Sequence, residues 1–87
     1  PLPRVAFDAE DIASRQWNCY LELTKGRLVG KPDEALKLFA SLRKVGVPPS
    51  KICYKVLMQD LGNAGRYAEI VDLLDNMTLD GYPPSGE

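Results

Sequence analysis

Gly46-Val47-Pro48-Pro49-Ser50 returns 35 residues later as Gly81-Tyr82-Pro83-Pro84-Ser85. Working back from this pair, Gly30, Glu34, Phe39 and Leu42 recur as Gly65, Glu69, Leu74 and Met77. A fixed period in the 30s predicts a helical solenoid, in which each unit buries its apolar face on the next. The quoted stretch also says how a unit ends. Glycine supplies the left-handed residue that closes a helix, and two prolines prevent the helix from continuing. The expected fold is all-α: four helices in two stacked hairpins, behind an extended N-terminal arm.

Residues 1–7, Pro-Leu-Pro-Arg-Val-Ala-Phe, form that arm in this reading, because Pro1 and Pro3 oppose helix. A first residue other than Met predicts a cut or processed N-terminus. Asp8 is placed to cap a first helix running to about Val29, with Glu10 and Asp11 in its positive first turn. On it Trp17, Tyr20, Leu21, Thr24 and Leu28 share one face, which predicts a core role for Trp17 and Tyr20. Gly26 is the weak point of this helix. Pro32 opens the second helix, whose stripe is Ala35, Leu38, Phe39, Leu42 and Val45, and Gly46 ends it. Ser50 is the expected cap of the third helix, with Ile52, Cys53, Val56, Leu57, Leu61 and Ala64 facing inward. The fourth helix covers residues 67–80, packs through Ile70, Leu73, Leu74 and Met77, and stops at Gly81. Leu38, Phe39, Leu57, Leu61 and Leu74 are the expected core. In domain terms, residues 1–13 are the arm and the start of the first helix, 14–50 a first repeat and 51–87 a second.

Composition narrows the function. The chain has no His, which removes the commonest general base and zinc ligand. Cys19 and Cys53 lie 34 residues apart, far from the close pairs of a zinc site. They read as compact buried helix residues or as a disulfide between adjacent helices. The carboxylate pairs Asp33/Glu34 and Asp72/Asp75 read as solvated helix surface. No nucleophile–base pair or phosphate-cradling glycine loop is present. The expectation is therefore a non-enzyme with no catalytic, metal or cofactor residues. No apolar run approaches the roughly 20 residues that span a bilayer. Residues 1–50 hold eight Lys/Arg and six Asp/Glu, and residues 51–87 hold three and six, so the halves carry +2 and −3.

The second unit runs Tyr54-Lys55-Val56-Leu57-Met58, Asn63-Ala64-Gly65-Arg66, Ala68-Glu69-Ile70, Leu73-Leu74, Met77 and Gly81-Tyr82-Pro83-Pro84. The first follows the same scheme from Lys31 on: Pro32-Asp33-Glu34-Ala35, Leu38-Phe39, Leu42, Gly46-Val47-Pro48-Pro49. Over residues 16–86 the chain resembles the pentatricopeptide repeat family. It departs from the pattern in two extra residues before Asp33, and in Trp17-Asn18 where the family often has Tyr-Asn. The tetratricopeptide repeat, with 34 residues and another consensus, fits less well.

That resemblance implies an organellar protein of plastid or mitochondrion, from a family that mostly binds single-stranded RNA at one base per repeat. Its base-choosing places are a polar residue on the first helix of a repeat and the last residue of the repeat, with a flanking residue that sandwiches the base. Carried onto this chain they fall on Cys19 and Lys51 with Gln16 in the first repeat, and on Val56 and Gly86 with Cys53 in the second. Val56 has no hydrogen-bonding group and Gly86 no side chain, so neither reads a base edge. Lys25, Arg27 and Lys31 form a basic cluster available to phosphates. On this register the scaffold is kept and the base readers are not. The resulting expectation is an interaction module or accessory subunit, held by other proteins in an organellar ribosome or a photosynthetic or respiratory complex. Single-stranded RNA binding is the alternative.

Overall fold

Asp8 accepts the backbone N–H of Asp11 at 2.9 Å and so starts the first helix of the computed structural model, which describes residues 8–82. Four helices follow: α1 Ala9–Thr24, α2 Pro32–Lys44, α3 Lys51–Asn63 and α4 Tyr67–Leu79. No strand occurs among the described residues. The arm at residues 1–7 and the terminal Pro83, Pro84 and Gly86 lie outside them.

Three of the four helices end alike. The N–H groups of Val47, Arg66 and Tyr82 reach back to the carbonyls of Leu42, Leu61 and Met77, each at 2.8 Å. The residue just before each is a glycine at positive φ, Gly46, Gly65 and Gly81. Otherwise unpaired carbonyls of the last turn are satisfied in this way, and after α2 and α3 the chain turns sharply into the next helix.

The end of α1 differs from expectation. It stops at Thr24, not near Val29, although Leu28 keeps the helical spacing. Glu22 is the reason: its carbonyl accepts the N–H of Leu28 at 3.0 Å, and its carboxylate accepts that of Arg27 at 2.9 Å. The chain folds back over Glu22 so closely that a Cβ at Gly26 would sit 2.8 Å from the Glu22 Cα. Residues 25–31 thus form a longer link than residues 64–66 do in the second hairpin.

Helix α3 is central and packs on α1, α2 and α4. Its Tyr54, Leu57 and Leu61 are fully buried, together with Cys53. Tyr54 meets Phe39 of α2 edge to face at 5.3 Å between ring centroids, and Tyr82 at 6.1 Å. Burying such side chains stabilises by about 1.5–3 kcal/mol each. At their far ends the hairpins are clasped by Arg43, which donates to Asp80 Oδ2 at 3.1 Å and Asn76 Oδ1 at 3.1 Å. At their near ends Arg66 pairs with Asp33 at 2.6 Å. Start lies by start and end by end, so α2 and α4 run in the same direction, as do α1 and α3.

Several expected core positions are more open. Leu38 and Leu74 are half-buried, and Val45, Ile52 and Ala64 are exposed. Trp17 is 58% exposed, stacked on Tyr20 at 5.5 Å, while the buried line of α1 is Cys19 and Leu23. Trp17 shares a helical face with Tyr20, but that face lies on the outer flank of the first hairpin, which no described element covers. Ser50 occupies the cap position of α3 without capping it; its hydroxyl donates to Cys53 Sγ at 3.2 Å.

Candidate functional site

The two cysteines are free and buried. The coupling between the two thiols pushes Cys19 up and Cys53 down. Cys53 also lies 3.6 Å from the Gln16 carbonyl, and the Gln16 side chain donates to the Pro48 carbonyl at 2.7 Å. Gln16, Cys19 and Cys53 are therefore joined within the α1–α3 contact. Val56 is half-buried, Lys51 is exposed and Gly86 lies outside the described residues. A thiol closed inside a helix pair presents no surface to a base.

One residue earlier on each helix the picture changes. Trp17 of α1 corresponds to Tyr54 of α3, so Arg15 corresponds to Ile52 and Asn18 to Lys55. All four are exposed. They turn outward in both hairpins whether or not a neighbour stacks beside them. Because α1 and α3 run side by side in one direction, they form a continuous row on one open face. The sequence held a sign of this: in the pairs Trp17-Asn18 and Tyr54-Lys55 an aromatic is followed by a long polar residue. The buried Tyr54 fixes the inward direction of the second pair, and Lys55 follows outward.

Lys25, Arg27 and Lys31 are all exposed in the α1–α2 link. Arg27 lies 3.6 Å from Glu22. Arg27 and Lys31 edge a cavity of about 600 Å³ between α1 and α2, together with Arg15, Asn18 and Glu34. Leu38 and Leu42 form its apolar floor. Their counterparts Leu73 and Met77 are buried in the second hairpin. Among the described residues no group of three or more His, Cys, Asp or Glu is placed to hold a metal ion. Nor is any described helix long and apolar enough to cross a membrane.

No protein-family model matches the chain, and no solved structure does. A curated maize protein, pentatricopeptide repeat-containing protein 10, chloroplastic, is 43% identical over 58 residues, 66% of this chain. The match spans 7% of that much longer relative. Its name agrees with the repeat motif and with the paired antiparallel helices, and the chain is accordingly a relative of the pentatricopeptide repeat proteins, built as an all-α array of helical hairpins.

Proposed function

We propose that the chain is a non-catalytic RNA-binding array that takes single-stranded RNA along the open α1–α3 face. The observation that carries this reading is the exposed row Arg15, Asn18, Ile52 and Lys55, polar or cationic at three places and apolar at one. Asn18 both donates and accepts, as reading a base edge requires, and Lys55 donates. Ile52 gives a flat apolar contact for a base, and Arg15 a guanidinium plane. The base-facing places are then Asn18 and Lys55 instead of Cys19 and Val56, with Ser50 instead of Lys51 closing the first repeat. Lys25, Arg27 and Lys31 contribute phosphate contacts. With a net charge of −1 and two hairpins, affinity is low and strongly salt-dependent. The name of the maize relative supports a plastid setting, within the plastid-or-mitochondrion reading of the sequence.

The test is an NMR titration of the chain with a short single-stranded oligoribonucleotide at low salt. Amide shifts should cluster at Asn18 and Lys55 and be absent with duplex RNA. Asn18→Ala should weaken binding about fivefold, the worth of one hydrogen bond. Lys31→Ala, at a phosphate contact, should lower the slope of log affinity on log salt by roughly 0.7. Shifts confined elsewhere, or variants that bind as the parent does, count against the reading.

A second reading rests on a separate observation. Helix α4 exposes Tyr67, Val71 and Leu79, an apolar surface of the kind that marks protein contacts. On this reading the chain is an accessory subunit held by other proteins in an organellar ribosome or energy-transducing complex. Hydrogen exchange in the native assembly separates the two, because protection of α4 by protein alone leaves the α1–α3 face open.

A further inference from the structure

Cys19 and Cys53 are the two cysteines of the chain, and the fold brings them together from positions 34 residues apart. Cys19 lies on α1 and is 2% exposed, and Cys53 lies in the first turn of α3 and is fully buried. The two helices pack on each other, and both thiols belong to one core cluster. Cys53 Sγ lies 3.6 Å from the carbonyl of Gln16, which stands one helical turn before Cys19 on the same face of α1. In the repeat register Cys53 corresponds to Gln16 and Cys19 to Val56. The sulfurs therefore meet diagonally across the two hairpins, and neither has a cysteine as its own counterpart. Packing alone asks for compact apolar side chains here and does not require a thiol on both helices. The RNA-binding reading uses neither sulfur.

We infer that Cys19 and Cys53 are a reversible redox pair, which a hydroperoxide converts into a disulfide tying α1 to α3 and a dithiol reopens. The two thiols have different parts. Cys53 is the nucleophile. The Ser50 hydroxyl donates to its sulfur at 3.2 Å, and the first turn of α3 carries positive partial charge. Both favour the thiolate, the reactive form. Interaction with the Cys19 thiol first, opposed by burial and then aided by Ser50, brings Cys53 down to about 6. Cys19 is held protonated, raised first by its interaction with Cys53 and then by burial.

The Cys53 sulfur attacks one oxygen of the peroxide, the O–O bond breaks, and hydroxide leaves as Cys53 becomes a sulfenic acid. That neutral product removes the charge that held the Cys19 proton in place. The Cys19 sulfur then attacks the Cys53 sulfur, the S–O bond breaks, and water leaves with the Cys19 proton. Two thiols and one hydrogen peroxide give one disulfide and two waters. A dithiol reverses the step by exchange, returning both thiols and closing its own disulfide. The bridge lies directly behind the open row of the α1–α3 face, since Cys19 follows Asn18 and Cys53 follows Ile52. Reduced, the two hairpins are held there by packing alone. Oxidised, they are bound covalently, and the unfolded chain loses freedom to the closed loop.

The test is treatment of the folded chain with hydrogen peroxide, followed by intact mass and peptide mapping without reductant. One intramolecular bridge should join the α1 and α3 peptides, the mass should fall by two hydrogens, and dithiothreitol should restore the parent. The urea midpoint should be higher in the oxidised chain than in the reduced one. Cys19→Ser should stop at a sulfenic acid on Cys53 that dimedone traps, whereas Cys53→Ser should leave Cys19 a thiol at the same dose. Circular dichroism verifies that these variants are folded, and the bridge and the midpoint are read on the parent chain whatever the variants do. Thiols that stay free in the folded chain overturn the inference, as do bridges that form between copies or in urea alone. A bridge that lowers the urea midpoint overturns it too, and so does a folded Cys53→Ser chain trapped as readily as Cys19→Ser. None of these readouts involves RNA, so the redox pair and the RNA-binding reading stand or fall separately.

Discussion

Tyr54 shows how one side chain serves both packing and polarity. Its ring fills the space between Phe39 and Tyr82, and its hydroxyl donates to Asp80, which Arg43 also holds. Burial first, and then that hydrogen bond, hold the phenol above its ordinary value of 10.0. Burial likewise raises Tyr82. A group whose pKa is raised by folding contributes stability that is complete below its unfolded value and is lost as pH rises through its folded value. The tyrosine contribution to urea stability should therefore be complete at neutral pH and fall above about 10, the pKa of an unfolded tyrosine. Tyr54→Phe should cost roughly 1.5–3 kcal/mol at pH 7 by removing a bond to a charged acceptor. It should also make the alkaline fall shallower, leaving the part due to Tyr82. An unchanged alkaline slope would show that Tyr54 is not the group responsible.

At the scale of elements, the helix ends were the most legible part of the sequence. Gly46, Gly65 and Gly81 mark the ends of three helices because the left-handed turn they provide suits few other residues. At Gly46, φ is +93° and a Cβ would meet nothing within 4 Å. Gly46→Ala thus tests backbone strain free of steric contact. It should cost about 1–2 kcal/mol, read from the urea midpoint, because an L-residue resists this conformation. A cost near zero would mean that the turn is set by Val47 and the prolines instead. The end of α1 was hidden for an identifiable reason. Leu28 continues the apolar spacing, whereas the stop comes from the Glu22 carboxylate and carbonyl folding onto the link, which periodicity does not record. The proposed ligand face was partly hidden as well. Carrying the family's base-facing places onto the chain put them on Cys19 and Cys53, which the residue pattern itself read as buried and which lie inside. In the second hairpin direction was readable from Tyr54, which precedes Lys55, since its buried ring sets which side of α3 faces the core.

At the scale of the whole molecule, α3 decides whether two hairpins act as one body. It contacts all three other helices, and its Leu57 is fully buried among them. A 35-residue repeat predicts units that stack, but not how strongly a short stack is coupled. The ring contact between Phe39 and Tyr54 and the Arg43 and Arg66 clasps supply that coupling here, because each joins one hairpin to the other. Repeat arrays gain their cooperativity from such interfaces, since no single unit buries its apolar face alone. Leu57→Ala should cost about 2–5 kcal/mol through lost packing and the cavity left behind. The loss should appear in both hairpins at once. Trp17, on the first hairpin and stacked on Tyr20, reports that hairpin by fluorescence, while circular dichroism at 222 nm reports all four helices. In urea the two signals should share one midpoint in the parent and move together to a lower one in the variant, as all-or-none unfolding requires. If the Trp17 transition stays in place while helicity is lost in two steps, the hairpins fold independently. The clasps would then join finished units without determining whether each one folds.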